Sequence, residues 1–203
     1  MRLCIYGAGG MGRETLDIIR SSSLHETYTD LIFVTSSGQE EAPIPVICER
    51  NLRAGDAVVI ALGDGPARVS VSQRLRDVTY PVIISKSALV SAFSAVGPGT
   101  VICPFASVSI DCIIGSYVII NCHAQVSHDC HIGDFVTISP HVSCNGWVEI
   151  QDGAFIGAGA VIRNGNPNER LVIGKNATVG LGAVVTRSVE PGATVVGLPA
   201  RQS

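Results

Sequence analysis

Charge and aromatic surface are scarce in this chain. Of its 203 residues only 15% are charged and 5% aromatic, and the formal net charge is −3. No cluster of lysine and arginine stands out, so neither nucleic acid nor a membrane surface has an electrostatic footprint to meet. No apolar run approaches the ~20 residues of a membrane-crossing helix. The start, MRLCIYGAGG, lacks the long apolar stretch of a secretion signal. The seven cysteines are an odd number and include no CxxC pair. Disulfide frameworks and zinc ribbons are thereby disfavoured, and a reducing cytoplasm is the expected compartment. What is present is an apolar chain with 22 glycines, β-leaning rather than disordered.

Two grammars divide it. Residues 1–85 alternate between strand and helix. Apolar runs at Leu3–Tyr6, Leu31–Val34, Ala57–Leu62 and Pro81–Ile84 read as buried strands, and Met11–Ile19 and Arg68–Leu75 as helices. That alternation predicts a small parallel α/β sheet, Rossmann-like in pattern. GAGGMG, residues 7–12, ends the first strand and opens the first helix. Glycines there let backbone N–H groups approach a phosphate at the positive end of a helix. A tight turn with no ligand is the alternative. A dinucleotide would also want an acidic residue at the end of the second strand, to hold a ribose. That strand ends FVTSS, which disfavours NAD.

Residues 86–203 follow another rule. From Val96 an aliphatic residue recurs at every sixth position: Val96, Ile102, Val108, Ile114, Ile120, Val126, Ile132, Ile138, Cys144, Ile150, Ile156 and Ile162, with Cys144 the one exception. The phase slips by five residues within RNGNPNERLV, 163–172, and resumes at Ile173, Val179 and Val185. Small or β-branched residues sit four places after each aliphatic, and glycine often follows it directly. A six-residue period specifies a parallel β-helix, three short sides to a coil of 18 residues. The slip marks a loop pushed out of one coil. Cys112 and Cys130 share the small-residue slot of adjacent coils, as core fillers.

VSHDCHIGDF, residues 126–135, holds two histidines, two aspartates and a cysteine. It reads three ways: a metal site, a proton-transfer pair, or the polar edge of the repeat. His128 and His131 occupy different places in their hexads, which weakens chelation. His123 and His141 lie 18 apart and should stack as edge residues. His128 and Asp129 are neighbours, and neighbours in a flat strand point to opposite faces. They can cooperate only if the chain bends between sides of the prism. One coil above them lie Gly146 and Trp147, and the glycine leaves open space beside His128.

A small α/β unit with GAGGxGRE joined to hexads carrying HDC, from IYGAGG to VVGLPAR, resembles the bacterial sugar acyltransferases. These include acetyltransferases of nucleotide-linked amino sugars and of sialic acids. The resemblance implies a left-handed β-helix, homotrimers with sites between neighbouring prisms, and acetyl-CoA as acyl donor with no metal. It implies a sugar nucleotide held by Gly9, Gly10, Met11, Thr35, Ser36 and Gly63. It implies His128 as general base with Asp129 as its carboxylate partner, and acetyl-CoA contacts at Thr137, Gly146, Ala158 and Leu181. Three positions depart from the family pattern: Met11 and Thr137 stand where histidine is common, and Thr35–Ser36 where paired aspartates are.

The chemistry suits the motif. A histidine can take a proton near neutral pH, and a carboxylate on its other nitrogen sets the tautomer. The expected activity is acetyl transfer to the amine of a nucleotide-linked deoxyamino sugar, in bacterial surface glycan biosynthesis. O-acetylation of a sugar hydroxyl and a non-catalytic scaffold remain as alternatives.

Overall fold

A computed structural model describes residues 1–202. At the N-terminus β1 (Arg2–Tyr6), β2 (Asp30–Thr35), β3 (Val46–Cys48) and β4 (Ala57–Ile60) pair in parallel, in the order β3-β2-β1-β4. Three helices accompany them: α1 (Gly10–Arg20), the single-turn α2 (Leu24–Thr27) and α3 (Gly65–Arg74). One sheet face packs Leu3, Ile5, Phe33 and Val59 with Leu16 and Ile19 of α1. The opposite face packs Cys4, Val34 and Ile60 with Val71 of α3. Both faces being covered explains why these strands read as unbroken apolar runs.

Two sequence expectations change here. Val46–Cys48, half-exposed at the sheet edge, is a strand that its short run did not announce. Ile83–Ile84, expected in the N-terminal sheet, instead pairs with Val101–Ile102 and opens the coil. Its two residues face two different cores, Ile83 the α/β unit and Ile84 the inside of the prism.

The coil has three sheets of two- or three-residue strands, parallel except where Arg201–Gln202 closes one of them antiparallel to Thr194–Val196. Ile114 pairs with Ile132, Ile120 with Ile138 and Val126 with Cys144, so the repeat along each side is 18 residues. The hexad aliphatics and the small residues between them form one buried column, with Cys112, Cys130 and Cys144 inside it. Above the slip Ile150 pairs with Ile173, Ile156 with Val179 and Ile162 with Val185. The register therefore resumes with residues 163–170 looped out. Glycines after the aliphatic permit coil contact: a Cβ on Gly97 would lie 2.6 Å from the Gly115 carbonyl.

The corners carry a feature invisible in composition. From Val96 to Cys144 the residue three places after each hexad core residue takes a left-handed backbone: Gly99, Phe105, Asp111, Tyr117, His123, Asp129, Phe135, His141 and Trp147 all have φ between +56° and +71°. Side chains at these corners stack between coils. Phe105, His123 and His141 form one ladder with centroid spacings of 5.0 and 4.9 Å, and Tyr117 lies 4.8 Å from Phe135 in another. His123 and His141 are exposed, as edge residues.

Arg68 joins the two units. It is fully buried on α3 and its nearest influence from a carboxylate is the charge of Asp64 at the start of that helix. Its guanidinium donates to the Leu62 and Gly63 carbonyls at 2.8 and 3.1 Å on its own side. Across the seam it donates to the carbonyls of Tyr117, Phe135 and Val136 at 2.9, 2.7 and 3.2 Å, and to the Thr137 hydroxyl at 2.9 Å. Burial pushes this guanidinium down to about 10, still protonated at neutral pH. A buried cation with no direct ion pair is tolerated because every donor direction meets an oxygen. Arg68→Met should cost at least ~3 kcal/mol, since several buried carbonyls lose a charged donor together. Equilibrium urea unfolding reads the loss as a lower midpoint at unchanged slope.

Candidate active site

The bend that the HDC motif requires is one of the left-handed corners. Asp129 has φ +59°, which breaks the strand alternation and turns its side chain back toward its neighbour. His128 Nδ1 lies 2.7 Å from Asp129 Oδ2. Asp129 accepts the Nδ1 proton, so Nε2 carries the lone pair. The imidazole side chain is 52% exposed and the carboxylate 28%, a pair open to a substrate. The corner lies where the strand Gln125–Val126 gives way to His131–Ile132.

Gly146 is placed over this pair, with a different consequence from the one expected. A Cβ there would lie 2.6 Å from His128 Cε1 and 2.8 Å from Nε2. The room it leaves is taken by the imidazole ring itself, not by open space. Trp147, at the next corner up, donates its N–H to the His128 carbonyl at 3.2 Å. No hydrogen bond among the described residues joins the His131 side chain to the pair, and its Nε2 lies 3.3 Å from Arg170.

The glycine turn builds a second opening. Tyr6, Gly7, Gly9, Arg13, Thr35, Ser36, Glu40 and Leu62 line a cleft of about 520 Å³. They come from the carboxyl ends of β1, β2 and β4, where parallel α/β sheets hold ligands. A side chain on Gly12 would run into the Gly7 carbonyl, so that glycine sets how closely α1 meets β1. Gly9 and Gly10 are exposed, with no atom near their would-be side chains. α1 has neither a side-chain cap nor an acidic residue in its first turn, leaving its N-terminal N–H groups available to an anion.

Three expected substrate contacts lie elsewhere or are already engaged. Met11 packs against the core between α1 and the coil, because the first turn of the helix rotates it inward. The Gly63 carbonyl accepts from Arg68 and from the Thr137 hydroxyl, the latter at 3.1 Å, so it serves the seam. The Thr35 hydroxyl is committed locally, donating to Glu40 and accepting from the Gly38 N–H. That bond holds the Glu40 carboxyl below its usual range and brings an acid to the cleft that the FVTSS strand end lacked.

The expected acetyl-CoA contacts do not converge on one place in the chain. Thr137, 4% exposed, is occupied by Arg68 and Gly63 in the seam. Ala158 and exposed Leu181 are vertical neighbours at another corner, between Phe155–Ile156 and Val161–Ile162 and the coil above. Gly146, Ala158 and Leu181 share one property: no hydrogen bond among the described residues engages their backbone N–H groups. All three stand two places after a hexad core residue, a regularity that the period contained.

A hexad-built coil with an exposed His–Asp pair, fused to a parallel α/β unit with an open glycine turn, defines a sugar acyltransferase of the hexapeptide-repeat class. The comparisons agree. Residues 2–75 match the PglD N-terminal domain. The chain is 39% identical over 208 residues to GDP-perosamine N-acetyltransferase of Escherichia coli O157:H7, covering 98% of this chain and 94% of that one. WeeI from Acinetobacter baumannii AYE superposes with TM-score 0.93 at 35% identity, over 100% of both chains. PerB from Caulobacter crescentus, solved with CoA and GDP-perosamine, gives 0.87 at 26% identity, over 100% of this chain and 97% of that one. The chain belongs to the bacterial sugar N-acyltransferase family and is an enzyme, a sugar acetyltransferase.

Gly146→Ala should displace the His128 ring while leaving the coil wound, because the new methyl collides with the ring rather than with backbone. The expected result is a kcat lowered by about 10²-fold with melting temperature nearly unchanged. Full activity in this variant would show that the ring position is not needed.

Proposed function

We propose that the protein transfers the acetyl group of acetyl-CoA to the amine of a nucleotide-linked deoxyamino sugar, with GDP-perosamine the substrate its relatives support. The observation that carries the reading is the 2.7 Å bond between His128 Nδ1 and Asp129, which leaves Nε2 free on an open corner. The amine attacks the thioester carbonyl and His128 Nε2 takes its proton. Asp129 holds the tautomer and stabilises the imidazolium. Collapse of the tetrahedral intermediate breaks the C–S bond, and the imidazolium returns the proton to the CoA thiolate. The unengaged N–H groups at 146, 158 and 181 are suited to a developing oxyanion or to amide groups of the pantetheine arm.

The α/β unit ahead of Ile83 serves as the sugar-nucleotide unit and the coil that Ile83–Ile84 opens as the acetyltransferase unit, left-handed as in the family it resembles. The cleft takes the diphosphate at Gly9, Gly10 and the N-terminus of α1, and the base beside Thr35 and Ser36. A homotrimer is the functional form. The His128–Gly146 corner and the Ala158–Leu181 corner are different corners of one prism, so a donor touching both spans two copies. Exposed Leu89 and Ile113, 74% and 54% accessible, support association of coil faces. Among the described residues no helix is long and apolar enough to cross a membrane. We place the reaction in the cytoplasm, in surface glycan biosynthesis.

Incubation with acetyl-CoA and a panel of GDP-, UDP- and dTDP-linked amino sugars, followed by mass spectrometry, tests the substrate. One added acetyl group, resistant to hydroxylamine as an amide is, should appear on the GDP-linked sugar. An ester product would overturn the amine assignment. His128→Ala should lower turnover by roughly 10²–10⁴-fold with acetyl-CoA binding kept; full turnover in intact trimers would remove the base assignment.

A further inference from the structure

The five-residue slip in the hexad phase is not a passive bulge. The looped-out segment folds back onto the coil directly above His128 and Asp129. Gly165 donates to the Gly146 carbonyl at 3.0 Å, and Leu171 to the Trp147 carbonyl at 3.2 Å. Between them Arg170 reaches down the corner. Its guanidinium carbon lies 5.2 Å from the centre of the Trp147 ring, one nitrogen donates to the Asp129 main-chain carbonyl, and another lies 3.3 Å from His131 Nε2.

We infer that Arg170 is a positioning residue, which holds the corner at Asp129 so that the His128–Asp129 hydrogen bond is kept in its working tautomer. A left-handed backbone is unfavourable for a residue with a side chain and persists when its surroundings over-determine it. At Asp129 three restraints converge: the coil below, through its N–H to the Ile110 carbonyl, the Trp147 corner above, and Arg170 on its own carbonyl. Arg170 alone of these comes from outside the repeat. A planar guanidinium stacked on an indole suits the task, because the ring fixes its plane while an edge donates. His131 completes the clamp by offering Nε2 as an acceptor, which places its own proton on Nδ1.

The inference rests on His128 being the base, and the test separates the two ideas. Arg170→Met keeps apolar cover on Trp147 and removes both polar contacts. The expected result is a kcat lowered by about tenfold or more, with KM for acetyl-CoA and for the sugar nucleotide within about twofold. Nitrogen-15 spectra of the histidines should show the Nδ1–H form of His128 in the native trimer and a mixture of tautomers in Arg170→Met. Arg170→Lys, which retains one donor and the charge, should recover part of both and covers a failure of the methionine variant to fold. On an Asp129→Asn background Arg170→Met should cost little more, as residues acting through one contact are not additive. An unchanged tautomer with unchanged kcat overturns the positioning role, as does full additivity. A tautomer that shifts while kcat stays constant instead overturns the base assignment and leaves Arg170 positioning a histidine that does not carry the rate.

Discussion

The regular coils depend on one recurring backbone event, the left-handed residue three places after the hexad core residues from Val96 to Ile156. Without it a six-residue repeat would continue as strand and neighbouring side chains would alternate. With it the chain turns at every sixth residue, three turns close a prism, and the aliphatics share one interior column. Each non-glycine residue in that conformation costs of order 1–3 kcal/mol. The coil recovers this through backbone pairing above and below and through stacking of the corner side chains themselves. Phe105, His123 and His141 stack in this way, as do Tyr117 and Phe135. The corner is thus both the strained element and the place where side chains from successive coils meet. Chemistry that needs two adjacent side chains to converge, as His128 and Asp129 do, fits there and not on the flat sides.

The period, the inward residues, the small fillers and the register slip were legible because each obeys spacing along the chain. The corner conformation was not, because its occupants are Gly, Phe, Asp, Tyr, His and Trp, which share no side-chain property. Position alone unites them. The same limit appears at Ile83–Ile84, which resembles a buried strand of either unit; only its pairing partner assigns it to the coil. Gly146 was legible as adjacent to His128 by the 18-residue count, yet its purpose was inverted. Stacking distance places residues in line but does not say which of two neighbours fills the space between them.

The departures at Met11, Thr35 and Thr137 have separate physical settings. Met11 belongs to the interface between α1 and the coil, where an apolar side chain is in place. Thr35 anchors the loop that carries Glu40, so a hydroxyl at the strand end brings a carboxylate in from five residues away. Thr137 accepts from Arg68 and donates to Gly63, a two-way role that a hydroxyl fills with one atom. No spacing rule in the sequence links positions 63, 68 and 137, since the contact exists only once the two units are docked.

That seam gives the molecule its mechanical logic. Leu62 lines the cleft at the glycine turn, and its carbonyl is held by the guanidinium that also grips Tyr117, Phe135 and Val136 of the coil. The strand end that shapes the cleft is therefore tied by two bonds to one buried group, and the coil that carries His128 is tied to the same group. A cation in that place commits the seam more firmly than apolar contact would. A small displacement of the two units would break the guanidinium's bonds to Tyr117, Phe135, Val136 and Thr137 before water could replace them, whereas sliding of apolar faces leaves no polar group unpaired. The cleft and the coil are accordingly joined through one buried group. Under the proposed reaction, an amine held by one unit meets a thioester held against the other only if the distance between the two sites is set in advance, and the seam at Arg68 is what sets it.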